Sequence, residues 1–205
     1  MPHDLDLSCV GSGFSEPVFQ SQDTYRLILH AMAFPGRIMT GTFGIGRDIL
    51  MHEASAAVCL TLIDRETPLW LQDGYEHSLG SWLRFHCGCV LVDDPSTAAF
   101  ALILEPCRMP SLDRFHSGTP MHPERSTTLI LQMDGLDDSS GISLSGPGIP
   151  ATIDLSVTTL PDPFWEQRQR ACKDFPQGLD MVFACCSRLA VISRTTHTKR
   201  IAPCT

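Results

Sequence analysis

The sequence predicts a mixed β-sheet covered by helices, in one domain of α/β or α+β class. Three observations carry this. Helical and strand-like hydrophobic periods alternate along the chain. No repeat of 20–50 residues and no convincing linker divides it. With 205 residues, 43% of them hydrophobic, a chain of this size buries roughly 70% of its unfolded surface and needs no staples.

The elements follow in order. Residues 1–18, with Gly11, Ser12, Gly13 and Pro17, read as a flexible lead-in. Ser21 is placed to cap a helix with Asp23 in its first turn. Tyr25, Ile28, Leu29 and Met32 form one apolar stripe at i, i+3, i+4, i+7. Phe34-Pro35-Gly36 ends that helix, because proline disfavours helical backbone at the residue before it. Residues 36–46 are dotted with glycine and suit tight turns or short strands. Residues 53–63 are Ala-rich and apolar, long enough for a buried helix. Asp64-Arg65-Glu66-Thr67 turns the chain into a short strand at 68–71. The next helix puts Tyr75, Leu79, Trp82, Leu83 and His86 on one face, and Cys87-Gly88 stops it.

Strands are expected at 90–92 and 98–104, with Asp93-Asp94-Pro95 as the turn between them. A short helix near 111–116 precedes strands at 127–133, 142–145 and 152–157. Asp162 and Pro163 read as the cap and first residue of a helix over 164–173. Residues 179–185 and 189–193 form a hairpin through Cys186-Ser187-Arg188.

Composition excludes several functions. Fifteen Lys+Arg against twenty-three Asp+Glu give a charge of −8, the wrong sign for broad nucleic-acid binding. It leaves room for a small phosphorylated ligand held by a few local arginines. The longest apolar runs, 98–104 and 54–63, fall short of the ~20 residues that cross a bilayer. Residues 1–6 show no basic segment followed by an apolar run, so no secretory signal is expected. The nine cysteines therefore read as reduced thiols, most of them buried, in a soluble cytoplasmic protein.

Familiar catalytic signatures are not met. Gly44-Ile45-Gly46 meets Ile49 where a dinucleotide loop needs its third glycine. Gly141-Ile142-Ser143-Leu144-Ser145 lacks the closing glycine of a nucleophile elbow. His86-Cys87-Gly88-Cys89 gathers three metal-ligating types but lacks the paired knuckle of structural zinc, so no metal is expected and His86 reads as a hydrogen-bonded core histidine. The lysines, Lys173 and Lys199, read as solvated surface rather than as a Schiff-base site, so no cofactor is expected. Two segments keep a functional reading. Ser145, Gly146 and Gly148 lie at a glycine turn whose amides suit an anion. Arg194, Thr195, Thr196 and His197 offer a cation, two hydroxyls and an imidazole to a phosphate. Arg84 and His86 are candidates for a third contribution. The competing reading is a plain turn and a polar strand end.

Six stretches together resemble one family: residues 24–36 (TYRLILHAMAFPG), 59–71 (CLTLIDRETPLWL), 82–92 (WLRFHCGCVLV), 117–133 (SGTPMHPERSTTLILQM), 144–149 (LSGPGI) and 175–197 (FPQGLDMVFACCSRLAVISRTTH). In order and spacing they are similar to PhnH, the phosphonate-metabolism subunit of the bacterial carbon–phosphorus lyase core complex. The resemblance spans about residues 19–197 and departs from the family at Cys87, Cys89, Cys186 and Ser193; the last residues, 198–205, read as a tail. It implies a three-layer α/β sandwich like the large domain of pyridoxal-phosphate transferases, without that cofactor's site. It implies a homodimer that works with PhnG, PhnI and PhnJ. It also implies a place in making α-D-ribose 1-methylphosphonate 5-triphosphate from ATP and methylphosphonate, as an accessory subunit with no assigned catalytic residue. The alternative is a subunit with its own nucleotide or phosphonate pocket.

Overall fold

The computed structural model describes residues 11–46 and 49–200. In chain order the elements are α1 (Pro17–Ala33), β1 (Met39–Thr40), α2 (Glu53–Leu62), β2 (Leu69–Leu71), α3 (Gly80–Cys87), β3 (Phe100–Ile103), β4 (Thr128–Gln132), β5 (Leu136–Gly146), β6 (Ile149–Val157), α4 (Phe164–Ala171), β7 (Asp180–Cys185), β8 (Arg188–Ile192) and β9 (His197–Arg200). The stretch that bears on a secretory signal, and the expected tail beyond residue 200, lie outside the described residues. No helix among the described residues is long and apolar enough to cross a membrane.

Strands β2, β3, β4 and β7 run parallel, and β8 and β1 add an antiparallel edge, in the order β1-β8-β7-β4-β3-β2. Parallel strands covered on both faces must be apolar on both, and these alternate cleanly. Leu71, Leu102, Ile130 and Val182 belong to the core beneath α1, α2 and α3. Trp70, Ile103, Leu129 and Phe183 belong to the core beneath α4 and the second sheet. That second sheet has three strands, β6-β5-β9. Among the described residues the α/β class is thus met by a six-stranded mixed sheet with four α-helices.

Several boundaries differ from expectation, each for a local reason. α1 begins at Pro17, inside the expected lead-in and a turn before Ser21. Proline suits the first helical position, where its missing N–H is an orphan anyway, and the Gln20 side chain accepts from Glu16 N–H at 2.7 Å. Phe14 also forms a β-bridge with Ile45. The α1 stripe divides: Thr24, Ile28 and Ala31 face inward, while Tyr25, Leu29 and Met32 stay 49, 47 and 44% exposed. Residues 90–92 form no named strand; Leu91 makes only a bridge to Leu69. The expected helix near 111–116 is one 3₁₀ turn, Leu112–Arg114. β5 starts at Leu136, because an irregular register between Asp137 and Ile142 lets a polar run stay in the strand. α4 has no side-chain cap; the Asp162 carbonyl instead accepts from Arg200. It ends at Ala171, where Lys173 N–H bonds back only three residues to Arg170, so Lys173 lies past the helix. β9 carries the chain on to Arg200, beyond the expected boundary at 197.

Candidate functional site

The predicted site residues fall into four places. Ser145 pairs with His197 across β5 and β9, and a Cβ on Gly146 would lie 3.0 Å from the Thr195 carbonyl. The glycine turn and the Arg194–His197 segment therefore meet as neighbouring backbone. Thr195 and Thr196 turn their hydroxyls to Ser193 Oγ, at 2.9 and 3.1 Å, and Thr196 is buried. His197 is exposed.

Arg194 is engaged within the protein. Asp180 Oδ2 accepts from its Nε at 3.1 Å and from Nη2 at 2.5 Å. Nη1 donates to the carbonyls of Pro123 and Pro176, and Nη2 also to Ser126 Oγ. A guanidinium has five N–H donors, and each has a partner, so Arg194 has none left for an anion. It ties the 117–126 loop to β7 and β8. Beneath it Arg168 is 1% exposed and donates to the Thr196 and Ser193 carbonyls at 3.0 and 2.7 Å. Burial pulls the Arg168 pKa below the ordinary arginine value, opposed by the charges of Cys172 and Asp180. The RTTH segment is thus held at its backbone by Arg168 and tied to its neighbours through Arg194.

Gly148 sits in the two-residue turn between β5 and β6 at φ 81°. Its missing side chain lets the turn close on the end of α1, where a Cβ would lie 2.3 Å from the Ala33 carbonyl. The cation beside this turn is Arg37, which sequence reasoning missed. It lines a cavity of about 240 Å³ with Gly148 and Ile149, its guanidinium 4.7 Å from the centre of the Phe34 ring.

Arg84 and His86 lie on α3, whose Trp82 and Leu83 pack in the core on the opposite face of the main sheet from Leu144. They do not join the glycine turn. His86 is half-buried, with Nε2 2.9 Å from the Gly11 carbonyl and its ring 4.8 Å from Trp82. Arg84 instead lines a cleft with Trp70, Asp73 and Asp93. Neighbouring Cys59, Cys87 and Cys89 are held protonated. Burial, then mutual repulsion, pushes Cys87 up to about 12; burial pushes Cys89 to about 11. Among the described residues no three His, Cys, Asp or Glu side chains gather as a metal site.

The sequence motifs that spread over all these elements match a family model for the bacterial phosphonate metabolism protein PhnH across residues 12–199. The chain belongs to the PhnH family. Two curated relatives agree with this. The α-D-ribose 1-methylphosphonate 5-triphosphate synthase subunit PhnH of Rhizobium meliloti (strain 1021) is 32% identical over 188 residues, covering 91% of this chain and 94% of the relative. The putative C-P lyase subunit protein HtxG of Stutzerimonas stutzeri is 26% identical over 183 residues, covering 87% and 85%. Cys186, in the turn between β7 and β8, takes φ 53°, a backbone that is unstrained for glycine.

Proposed function

We propose that the chain is an accessory subunit of a carbon–phosphorus lyase core complex. In that complex it supports formation of α-D-ribose 1-methylphosphonate 5-triphosphate from ATP and methylphosphonate. The observation that carries this is its relation, over nearly the whole length of both chains, to a relative named as a subunit of that synthase. We carry over from the family a cytoplasmic setting, an α/β body like the large domain of pyridoxal-phosphate transferases without the cofactor, and partners of the PhnG, PhnI and PhnJ types. Lys173 and Lys199 are both exposed, which fits a chain that holds no Schiff base.

We also infer a homodimer through α1. Val18, Phe19, Tyr25, Leu29 and Met32 leave large apolar side chains in solvent along one helix, and such patches mark interaction surfaces. A two-fold contact needs a surface that complements itself, and an apolar stripe meets that condition. The functional test is genetic. A bacterium deleted for its own PhnH-type subunit should regain growth on methylphosphonate as sole phosphorus source when it carries this chain. A well-expressed chain that restores no growth would contradict the subunit role.

One observation favours a second reading, a subunit that also holds a ligand. Arg84, a candidate from the sequence, has no side-chain hydrogen bond or ion pair among the described residues and faces an open cleft.

A further inference from the structure

Two cavities of about 250 and 570 Å³ share Trp70, Asp73 and Asp93. They form one cleft of the size that small-molecule sites occupy, about 300–1,000 Å³. It lies beyond the carboxyl ends of parallel strands β2 and β3, the end of an open α/β sheet where ligands bind.

The wall of this cleft is built rather than incidental. Gln72 follows β2 and is 5% exposed. Its Oε1 accepts from the Leu104 and Glu105 amides at 2.9 and 2.8 Å, and its Nε2 donates to the Glu105 carbonyl at 3.0 Å. These bonds fix the β2 exit against the β3 exit. Tyr75 Oη donates to Glu105 Oε1 at 2.5 Å, and Arg108 donates to Glu105 Oε2 at 3.0 Å. Glu105 is therefore taken by the wall itself, whereas Arg108 spends one of its five donors there.

What remains free defines the ligand. Trp70 and Leu71, on opposite faces of β2 and each 5% exposed, leave little apolar surface at the cleft. Asp73 and Asp93 are exposed carboxylates without a hydrogen-bond donor or ion-pair partner among the described residues. Arg84 is the unpaired cation on the side of the larger cavity, and Arg114 lines the smaller one without a side-chain hydrogen bond or ion pair among the described residues. Carboxylates that lack donors accept hydroxyls, and a guanidinium chelates an oxyanion.

We propose that this cleft binds an anionic sugar, with hydroxyls on Asp73 and Asp93 and a phosphoryl group on Arg84. The proposal rests on the ligand-holding reading above and places that ligand away from the glycine turn and from Arg194. Titration calorimetry of the full chain with ribose 5-phosphate tests it, with ribose and inorganic phosphate as comparisons. Saturable binding of ribose 5-phosphate is expected, well above that of either comparison. Arg84→Gln and Asp73→Asn should each weaken it by about tenfold or more, the loss of one charge-assisted hydrogen bond, with the melting temperature unchanged. Absence of binding at millimolar ligand overturns the proposal. So does equal binding of phosphate alone, or unaltered binding by Arg84→Gln. Arg84→Gln should co-purify with partner subunits as the parent does. If the parent fails to co-purify, the subunit reading fails while the titration still decides the cleft.

Discussion

Arg194 holds the Pro123 and Pro176 carbonyls, Ser126 and Asp180 from one guanidinium, with its side chain and that of Asp180 only 17 and 15% exposed. Removing one partner of such a pair leaves the other charge buried and uncompensated. Arg194→Met is expected to lower unfolding free energy by about 3 kcal/mol, read from urea melts. Its presence beside Thr195 and Thr196 was legible in the sequence; its partner was not. Asp180 lies fourteen residues earlier, across the β7–β8 hairpin, and only the register Met181 opposite Ile192 brings the two together. Cys186 is the reverse case. Its φ of 53° costs about 1 kcal/mol in a residue with a Cβ, so Cys186→Gly should raise the melting temperature. The buried thiols add a pH dependence. Cys87 and Cys89 titrate near 12 and 11 rather than their ordinary 9.0. Above pH 9 the unfolded chain loses these protons first, so stability is full below pH 9 and falls as pH rises toward 12. Stability curves that stay flat through pH 9–11 would contradict this.

At the scale of elements, α1 is the informative case. Its period was readable, and so was its end at Phe34-Pro35-Gly36, where the C-cap is Phe34. Which part of the apolar stripe packs was not readable, because periodicity gives a face but not the element that covers it. Ile28 packs inward with Thr24 and Ala31, while Tyr25, Leu29 and Met32 point out. Leu29→Asp places a charge on that outward face and should shift the chain toward monomer by analytical ultracentrifugation, with the circular dichroism spectrum kept. An unchanged sedimentation coefficient would remove α1 from the interface. The β5–β6 turn was legible through Gly146, Pro147 and Gly148. Its contact with the Ala33 carbonyl was not, since it joins residues over a hundred positions apart. Gly148→Val should therefore destabilise the α1 end as well as the turn.

Across the whole molecule, the strands on which the α/β class rests were legible because β3, β4, β7 and β8 are continuous apolar runs. Less legible was the second sheet, where β5 hides in Asp137, Asp138 and Ser139 and β9 in the charged residues Lys199 and Arg200. The candidate site was legible only in part. Arg84 was singled out by charge, but Asp93 read as a turn residue and Asp73 belonged to no motif, and only the parallel bridge of Leu69 with Leu91 brings the two carboxylates to one cleft. The family relation runs through all these parts, from residue 12 to residue 199, so the proposed role belongs to the intact chain in an assembly. Its most direct test is co-expression with PhnG-, PhnI- and PhnJ-type subunits, one partner carrying the affinity tag, followed by size exclusion. This chain is expected to co-elute with the partners in fixed stoichiometry. Partners that assemble and elute without it, while it folds and runs alone, would contradict that role.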